Sequence, residues 1–238
     1  MYLENLAIDA VDPQRLGRFW EALLGSTTLN DSPELFETRV SVPDGPSVDL
    51  CFPRVPEPAT LHPRLHLDLR GGERQAEVVD AALALGATPR DISQGRVPWV
   101  VLADPEGNPF CVMEARPEYA ASGPIAALPL DSADPARDAE FWAELTGWVP
   151  EATSMPASLR HASGRGPLLE LCSEARPRTG GKNRLHLDVR LEGEDPDAVV
   201  ARVLALGGRE VDHGWGELPW RVVADPSGNE LCLLPSRS

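Results

Sequence analysis

Arg64-Leu65-His66-Leu67-Asp68-Leu69-Arg70 and its return as Arg184-Leu185-His186-Leu187-Asp188-Val189-Arg190 decide how this chain is read. Arginine, histidine, aspartate and arginine fall at one parity and aliphatic residues at the other. That is the period of a strand with an apolar face on a core and a polar face elsewhere. A strand carrying a histidine, a carboxylate and two guanidiniums on one face, twice, points to a site.

Working outward, the two copies lie inside a longer repeat. Asp9 to Gly25, with Asp12-Pro13 and Phe19-Trp20, matches Asp131 to Gly147, with Asp134-Pro135 and Phe141-Trp142, at an offset of 122; the central strand matches at 120. Leu83-Ala84-Leu85-Gly86 matches Leu204-Ala205-Leu206-Gly207 at 121, as does Pro98-Trp99 through Asp104-Pro105-Glu106-Gly107-Asn108 to Cys111 against Pro219-Trp220 through Asp225-Pro226-Ser227-Gly228-Asn229 to Cys232. Anchors in one order with offsets drifting only in loops mean a tandem duplication. The expected division is a first domain over residues 1–116, a linker over 117–122 and a second domain over 123–238.

Within a repeat, Leu3 to Ala10 reads as a strand. Asp12-Pro13 then caps a helix whose Leu16, Phe19, Trp20, Leu23 and Leu24 form one apolar face and which Gly25 ends. Leu35 to Val42 and Ser47 to Phe52 read as a hairpin about Pro43-Asp44-Gly45, and Arg54 to Pro63 as an extended connection. After the quoted strand come a helix over Glu73 to Leu85, strands over Ala87 to Ile92 and Val97 to Ala103, and a turn at Asp104-Pro105-Glu106-Gly107-Asn108 into Pro109 to Glu114. Each repeat is thus strand, helix and about three strands, twice over. The Phe-Trp pairs read as core, and the Asp-Pro-x-Gly-Asn segments as hairpin turns.

Composition sets bounds. With 238 residues, 42% hydrophobic and 25% charged, the chain is expected to be a soluble globular protein. A net charge of -15 and a pI near 4.7 disfavour nucleic acid and anionic membrane as partners. No apolar run approaches a membrane span, and Met1-Tyr2-Leu3-Glu4-Asn5 has no signal-peptide pattern, so a cytoplasmic location is expected. Cys51, Cys111, Cys172 and Cys232 form no CxxC pair and read as thiols.

The repeated βαβββ order, Asp-Pro opening the first helix, the His-Leu-Asp strand, Ala-Leu-Gly closing the second helix and Asp-Pro-x-Gly-Asn before the last strand together resemble the vicinal oxygen chelate superfamily, and more closely its tandem glyoxalase-like domains. The resemblance implies an α+β fold: two tandem domains, each a pair of βαβββ modules forming a curled, cup-like mixed sheet with helices outside. It also implies a divalent metal in the cup, with ligands from the first, fourth, fifth and last strands. The fifth-strand histidine is matched by His66 and His186, and the fourth-strand carboxylate by Asp49 and Glu170. The first-strand ligand is replaced by Asn5 and Ala127, and the last-strand glutamate by Cys111 and Cys232.

Two readings of the polar residues stay open. In one, Glu170, His186, Cys232, Asp49, His66 and Cys111 hold a metal (zinc, nickel, manganese or iron). Glu170 with His186 is then the better remnant, and a softer variant gathers His66, Cys51 and Cys111 in one cup and His186, Cys172 and Cys232 in the other. In the other, the cysteines are small core residues and the histidines are hydrogen-bonded to neighbours such as Asp68. Asn5, Asp68, Arg70, Asp188 and Arg190 belong to the expected pocket. The second repeat adds His161 and, where the first has Ile92-Ser93-Gln94-Gly95, a His213-Gly214-Trp215-Gly216 loop suited to rim a pocket.

By resemblance, the expected function is small-molecule binding in the sheet-lined cup, with metal-assisted lyase, isomerase or dioxygenase chemistry. The alternative is a metal-free binding protein that sequesters an antibiotic or other small molecule, as bleomycin-resistance proteins do. The expected assembly is a monomer with pseudo-dimeric domains or a homodimer.

Overall fold

The computed structural model describes residues 1–57, 63–92, 94–174 and 182–237. The chain runs as four modules. The first holds β1 (Tyr2–Ile8), α1 (Pro13–Leu24), β2 (Thr27–Asp31), β3 (Leu35–Ser41) and β4 (Ser47–Pro53). The second holds β5 (Leu67–Arg70), α2 (Gln75–Ala84), β6 (Thr88–Pro89), β7 (Val100–Ala103) and β8 (Pro109–Met113). The third holds β9 (Ile125–Ser132), α3 (Pro135–Thr146), β10 (Val149–Pro150), β11 (Ala157–Arg160) and β12 (Leu168–Ser173). The fourth holds β13 (Leu185–Arg190), α4 (Pro196–Ala205), β14 (Arg209–Glu210), β15 (Arg221–Ala224) and β16 (Glu230–Leu234). Part of the expected connection from Arg54 to Pro63, and Ser93 of the first-repeat loop, lie outside the described residues.

The helix starts follow from the sequence. Asp12 accepts the Arg15 amide N–H at 3.1 Å and Asp134 that of Arg137 at 3.2 Å, with Pro13 and Pro135 pre-set in the first turn. Gly25 and Gly147 end the helices at φ 63° and 69°. Phe19, Trp20, Phe141 and Trp142 are buried. The Trp20 indole donates to Asp104 at 3.3 Å and that of Trp142 to Asp225 at 3.1 Å. The Asp-Pro-x-Gly-Asn turns are therefore shaped by their own aspartate, which accepts from Asn108 or Asn229, and bolted to a helix by the indole. Gln75 begins the second helix only after a 3-10 turn over Gly72–Arg74, and the strand expected at Ala87 to Ile92 shrinks to Thr88–Pro89.

The four modules make two eight-stranded mixed sheets, and these do not follow the repeats. One runs β14-β15-β16-β13-β1-β4-β3-β2 and the other β10-β11-β12-β9-β5-β8-β7-β6. The first and fourth modules share a sheet, as do the second and third. The seams are antiparallel: β1 pairs with β13 (Leu6 opposite Leu187) and β5 with β9 (Asp68 opposite Ala127). Outside the seams, β1–β4, β13–β16, β9–β12 and β5–β8 are parallel. The His66 amide donates to the Pro129 carbonyl at 3.2 Å, so His66 sits at the seam although the regular ladder starts one residue later. Bonds between repeats fix the exchange: the Asp9 amide donates to the Arg184 carbonyl at 3.0 Å, the Asp131 amide to the Arg64 carbonyl at 2.8 Å, and the Arg64 side chain to Asn229 and Glu174 at 2.7 and 2.8 Å.

One core of aliphatic and aromatic side chains runs through all four modules, between the helices and the outer sheet faces. Among the described residues, no helix is long and apolar enough to cross a membrane. All four cysteines are free.

Candidate functional site

The exchange of modules regroups the expected residues. The Asn5 cup, on β1, β4, β13 and β16, unites Asn5, Asp49 and Cys51 of the first repeat with His186, Asp188 and Cys232 of the second. The Ala127 cup, on β9, β12, β5 and β8, unites Ala127, Glu170 and Cys172 with His66, Asp68 and Cys111. Three expectations need correction. Glu170 does not pair with His186 but shares a sheet with His66; Cys51 lies in the His186 sheet, away from His66 and Cys111; and Cys172 lies in the His66 sheet, away from His186 and Cys232. Each repeat supplies half of each sheet, so residues near in sequence are parted and residues from opposite repeats meet.

In both cups a histidine nitrogen, an aspartate oxygen and a cysteine sulfur converge, all within 4.8 Å: His66, Asp68 and Cys111 in one, His186, Asp188 and Cys232 in the other. His186 Nε2 is 3.3 Å from Asp188 Oδ1 and 3.6 Å from Cys232 Sγ; His66 Nε2 is 3.4 Å from Asp68 Oδ1. Donors on a zinc tetrahedron stand roughly 3.3–3.8 Å apart, given bonds of about 2.0–2.3 Å. Among the described residues, Oδ1 of Asp68 and of Asp188 is buried and accepts no well-aligned hydrogen bond, its polar neighbours being the histidine and cysteine of its own group. Nitrogen, oxygen and sulfur donors gathered within 4.8 Å, with a buried acceptor in each group still open, fit a borderline-soft divalent ion.

Sequence reasoning assigned the carboxylate role to Asp49 and Glu170. Asp49 is instead clamped by Arg39, Nε and Nη2 each donating at 2.7 Å, so its charge is spent within the sheet. Among the described residues no arginine is hydrogen-bonded to Glu170, and Arg116 acts on it only through its field. The Tyr119 hydroxyl donates to it at 3.1 Å, and burial with the nearby charge of Asp68 pushes its carboxyl up to about 7. The signal for Asp68 and Asp188 was available in the sequence: each lies two residues after the histidine, on the same strand face. Tyr119 carried no such signal.

Burial governs the other ionisable groups. It pushes Cys172 up to about 12 and raises Cys51, Cys111 and Cys232 as well. It lowers His186 to about 3, helped by the Lys182 charge, and raises Asp188 to about 7. His66 moves the other way: burial opposes its charge, but Asp68, Asp131 and Glu170 outweigh it.

The remaining expected residues sit at the edges. Arg190 is paired with Glu4, which also takes Arg237, and donates to the Pro235 carbonyl at 2.7 Å. Arg70 donates to the Ala120 carbonyl at 2.9 Å and lines a groove of about 770 Å³ with Arg74, Glu77, Glu114 and Arg116. The His213 and Trp215 rings stack with centroids 4.3 Å apart, Lys182 lies 5.4 Å over Trp215, and His213 is 3.3 Å from Glu230. Trp215 is half exposed. His161 is held within its own turn by Ser163.

The family model described as glyoxalase-like domain matches the chain twice, over residues 5–113 and 127–234. Glyoxalase I from Zea mays superposes with a TM-score of 0.68 at 17% identity, over 98% of this chain and 92% of that one. A protein of Bacillus subtilis described as a candidate dioxygenase superposes with a TM-score of 0.59 at 14% identity, over 100% and 86%. At these identities the likeness is one of fold. No curated protein gives a significant match.

Proposed function

The chain belongs to the glyoxalase-like domain family of vicinal oxygen chelate proteins, and from that premise we propose that it binds a small molecule in a sheet-lined cup with the help of a divalent ion. The observation that carries this reading is the doubled group of His66, Asp68 and Cys111 and of His186, Asp188 and Cys232, each with a buried aspartate oxygen still open. These side chains would hold the ion. A divalent cation there supplies Lewis-acid polarisation to ligand oxygens, the chemistry shared by lyase, isomerase and dioxygenase reactions.

The chain's own residues do the rest. Glu170, with its carboxyl near 7, holds or yields a proton close to neutral pH, and the Tyr119 hydroxyl fixes its orientation. Cys111, Met113, Tyr119, Ala126, Ala127 and Leu168 form an apolar wall that keeps water away. Both sheets are completed within one chain, which supports a monomer whose halves mimic a dimer.

Protein purified without chelator should contain about one divalent ion per chain or more, by elemental analysis. After stripping, its melting temperature should rise on adding zinc, nickel, manganese or ferrous ion. Metal-free protein indifferent to all four would refute the proposal. It would leave metal-free sequestration, for which the partly buried Trp99 at the wall offers an aromatic surface. A melting-temperature shift across an antibiotic panel tests that reading.

A further inference from the structure

The cups carry the same histidine, aspartate and cysteine, yet the first-strand position divides them. Asn5 stands opposite Asp188 across the seam and donates to Asp188 Oδ2 at 3.3 Å, which leaves Asn5 Oδ1 buried and without a partner. Asn5 is 8% and Asp188 5% exposed, so two orphaned acceptors share one enclosed place. An unpaired buried acceptor is costly, and a cation bound there would relieve both. The opposite seam puts Ala127 across from Asp68, and alanine offers no donor.

The surroundings divide in the same way. In the Asn5 cup, Arg39 clamps Asp49, Arg190 and Arg237 pair with Glu4, and Cys51 donates to Glu37 at 3.3 Å. The side chain of His186 is 11% exposed. In the Ala127 cup, the side chain of His66 is 35% exposed, Ser158 stands opposite Glu170 where Arg39 stands opposite Asp49, and Ala126 takes the place of Glu4. Beside the donors lies the apolar wall, with Trp99 and Val101 packed against it and only partly buried.

Resting on the metal-dependent reading above, we infer that the cups are unequal ion sites with separate tasks. The Asn5 cup, through Asn5, His186, Asp188 and Cys232, encloses a structural ion with no free position. The Ala127 cup, through His66, Asp68 and Cys111, leaves one position open, so that ligand binding is confined to it. Four protein donors make a closed structural site, and three plus a vacancy make a working one. The ligand that fits the open position presents an oxygen to the ion and an apolar body to the partly buried Trp99 and Val101.

The test uses the full chain, stripped and reloaded with cobalt(II), with azide as a small probe of an open coordination position. Two cobalt ions per chain are expected, one removed by EDTA at least tenfold faster than the other. Azide should shift the visible spectrum of the fast ion alone. His66→Gln, at an accessible residue, should leave one ion, slow to leave and silent to azide. Asn5→Ala should make the slow ion exchange quickly; should that variant not fold, the His66→Gln comparison decides alone. Equal exchange rates, an azide response that survives His66→Gln, or a single ion per chain in either cup would overturn the inference while sparing the metal-dependent reading. No cobalt at all would remove both.

Discussion

Glu170 shows how much a single residue depends on what the fold sets against it. Its match in the first repeat, Asp49, is neutralised by Arg39, whereas Glu170 meets Ser158, the Tyr119 hydroxyl and the field of Asp68. Its carboxyl rises from 4.5 to about 7, chiefly by burial. A raised acid costs the fold nothing below its unfolded value and most above its folded one, so in stripped protein this group lowers stability as pH climbs from 4.5 through 7. The cost is on the order of 3 kcal/mol. Glu170→Gln should flatten that part of the stability curve, followed by urea unfolding at several pH values. Tyr119→Phe, which removes a hydrogen bond that favours the carboxylate, should push the inflection higher. Identical curves for the parent and Glu170→Gln would show that the group does not titrate there. The histidine and aspartate of the site were legible in the sequence because a strand's period fixes which residues share a face. Tyr119 was not, because it reaches Glu170 from the 3-10 turn over Pro117–Tyr119, between the repeats.

At the scale of elements, the first helix of each repeat was readable from cap to cap, and what remained hidden was how closely it packs. A Cβ on Gly17 would lie 2.1 Å from Phe36 Cδ1, so α1 presses on β3 through the missing side chain. The second repeat has Ala139 at the matched place, and β11 carries no phenylalanine. Alanine is the better helix former by about 1 kcal/mol, but overpacking a filled core costs about 1–3 kcal/mol. The clash is with the ring root as well as its edge, with Phe36 Cβ at 2.8 Å, so rotation of the ring does not relieve it. Gly17→Ala is therefore expected to destabilise the protein, by up to about 2 kcal/mol in chemical denaturation. A stability gain would mean that α1 shifts away from β3 at little cost. The short edge strands, β6, β10 and β14, were the elements least readable from sequence, because two paired residues leave almost no periodic signal.

At the scale of the molecule, the unit of sequence and the unit of structure differ. The repeat is the unit of duplication, but each sheet takes one module from either repeat. Residues 1–116 expressed alone would hold β1 and β5 without β13 and β9, two open seams of unpaired backbone. That fragment should self-associate or aggregate, and co-expression with residues 117–238 should yield a 1:1 complex, as judged by size exclusion and light scattering. A stable, monomeric first half would show that its modules can close on each other.

The sequence by itself determined the duplication, the four modules, the helix caps, the core aromatics and the polar strand faces that carry His66 and His186, because each of these is local: a period, a capping residue or a turn. It also determined the family resemblance and the loss of the usual first-strand and last-strand ligands. Only the tertiary structure decided which modules share a sheet. The seam edges of β1 and β9 both offer an antiparallel backbone ladder, so periodicity is blind to the partner, and the choice falls to long-range contacts such as Arg64 on Asn229 and Asp9 on Arg184. That choice puts Glu170 beside His66 rather than His186, and leaves one cup with Asn5 and the other with Ala127.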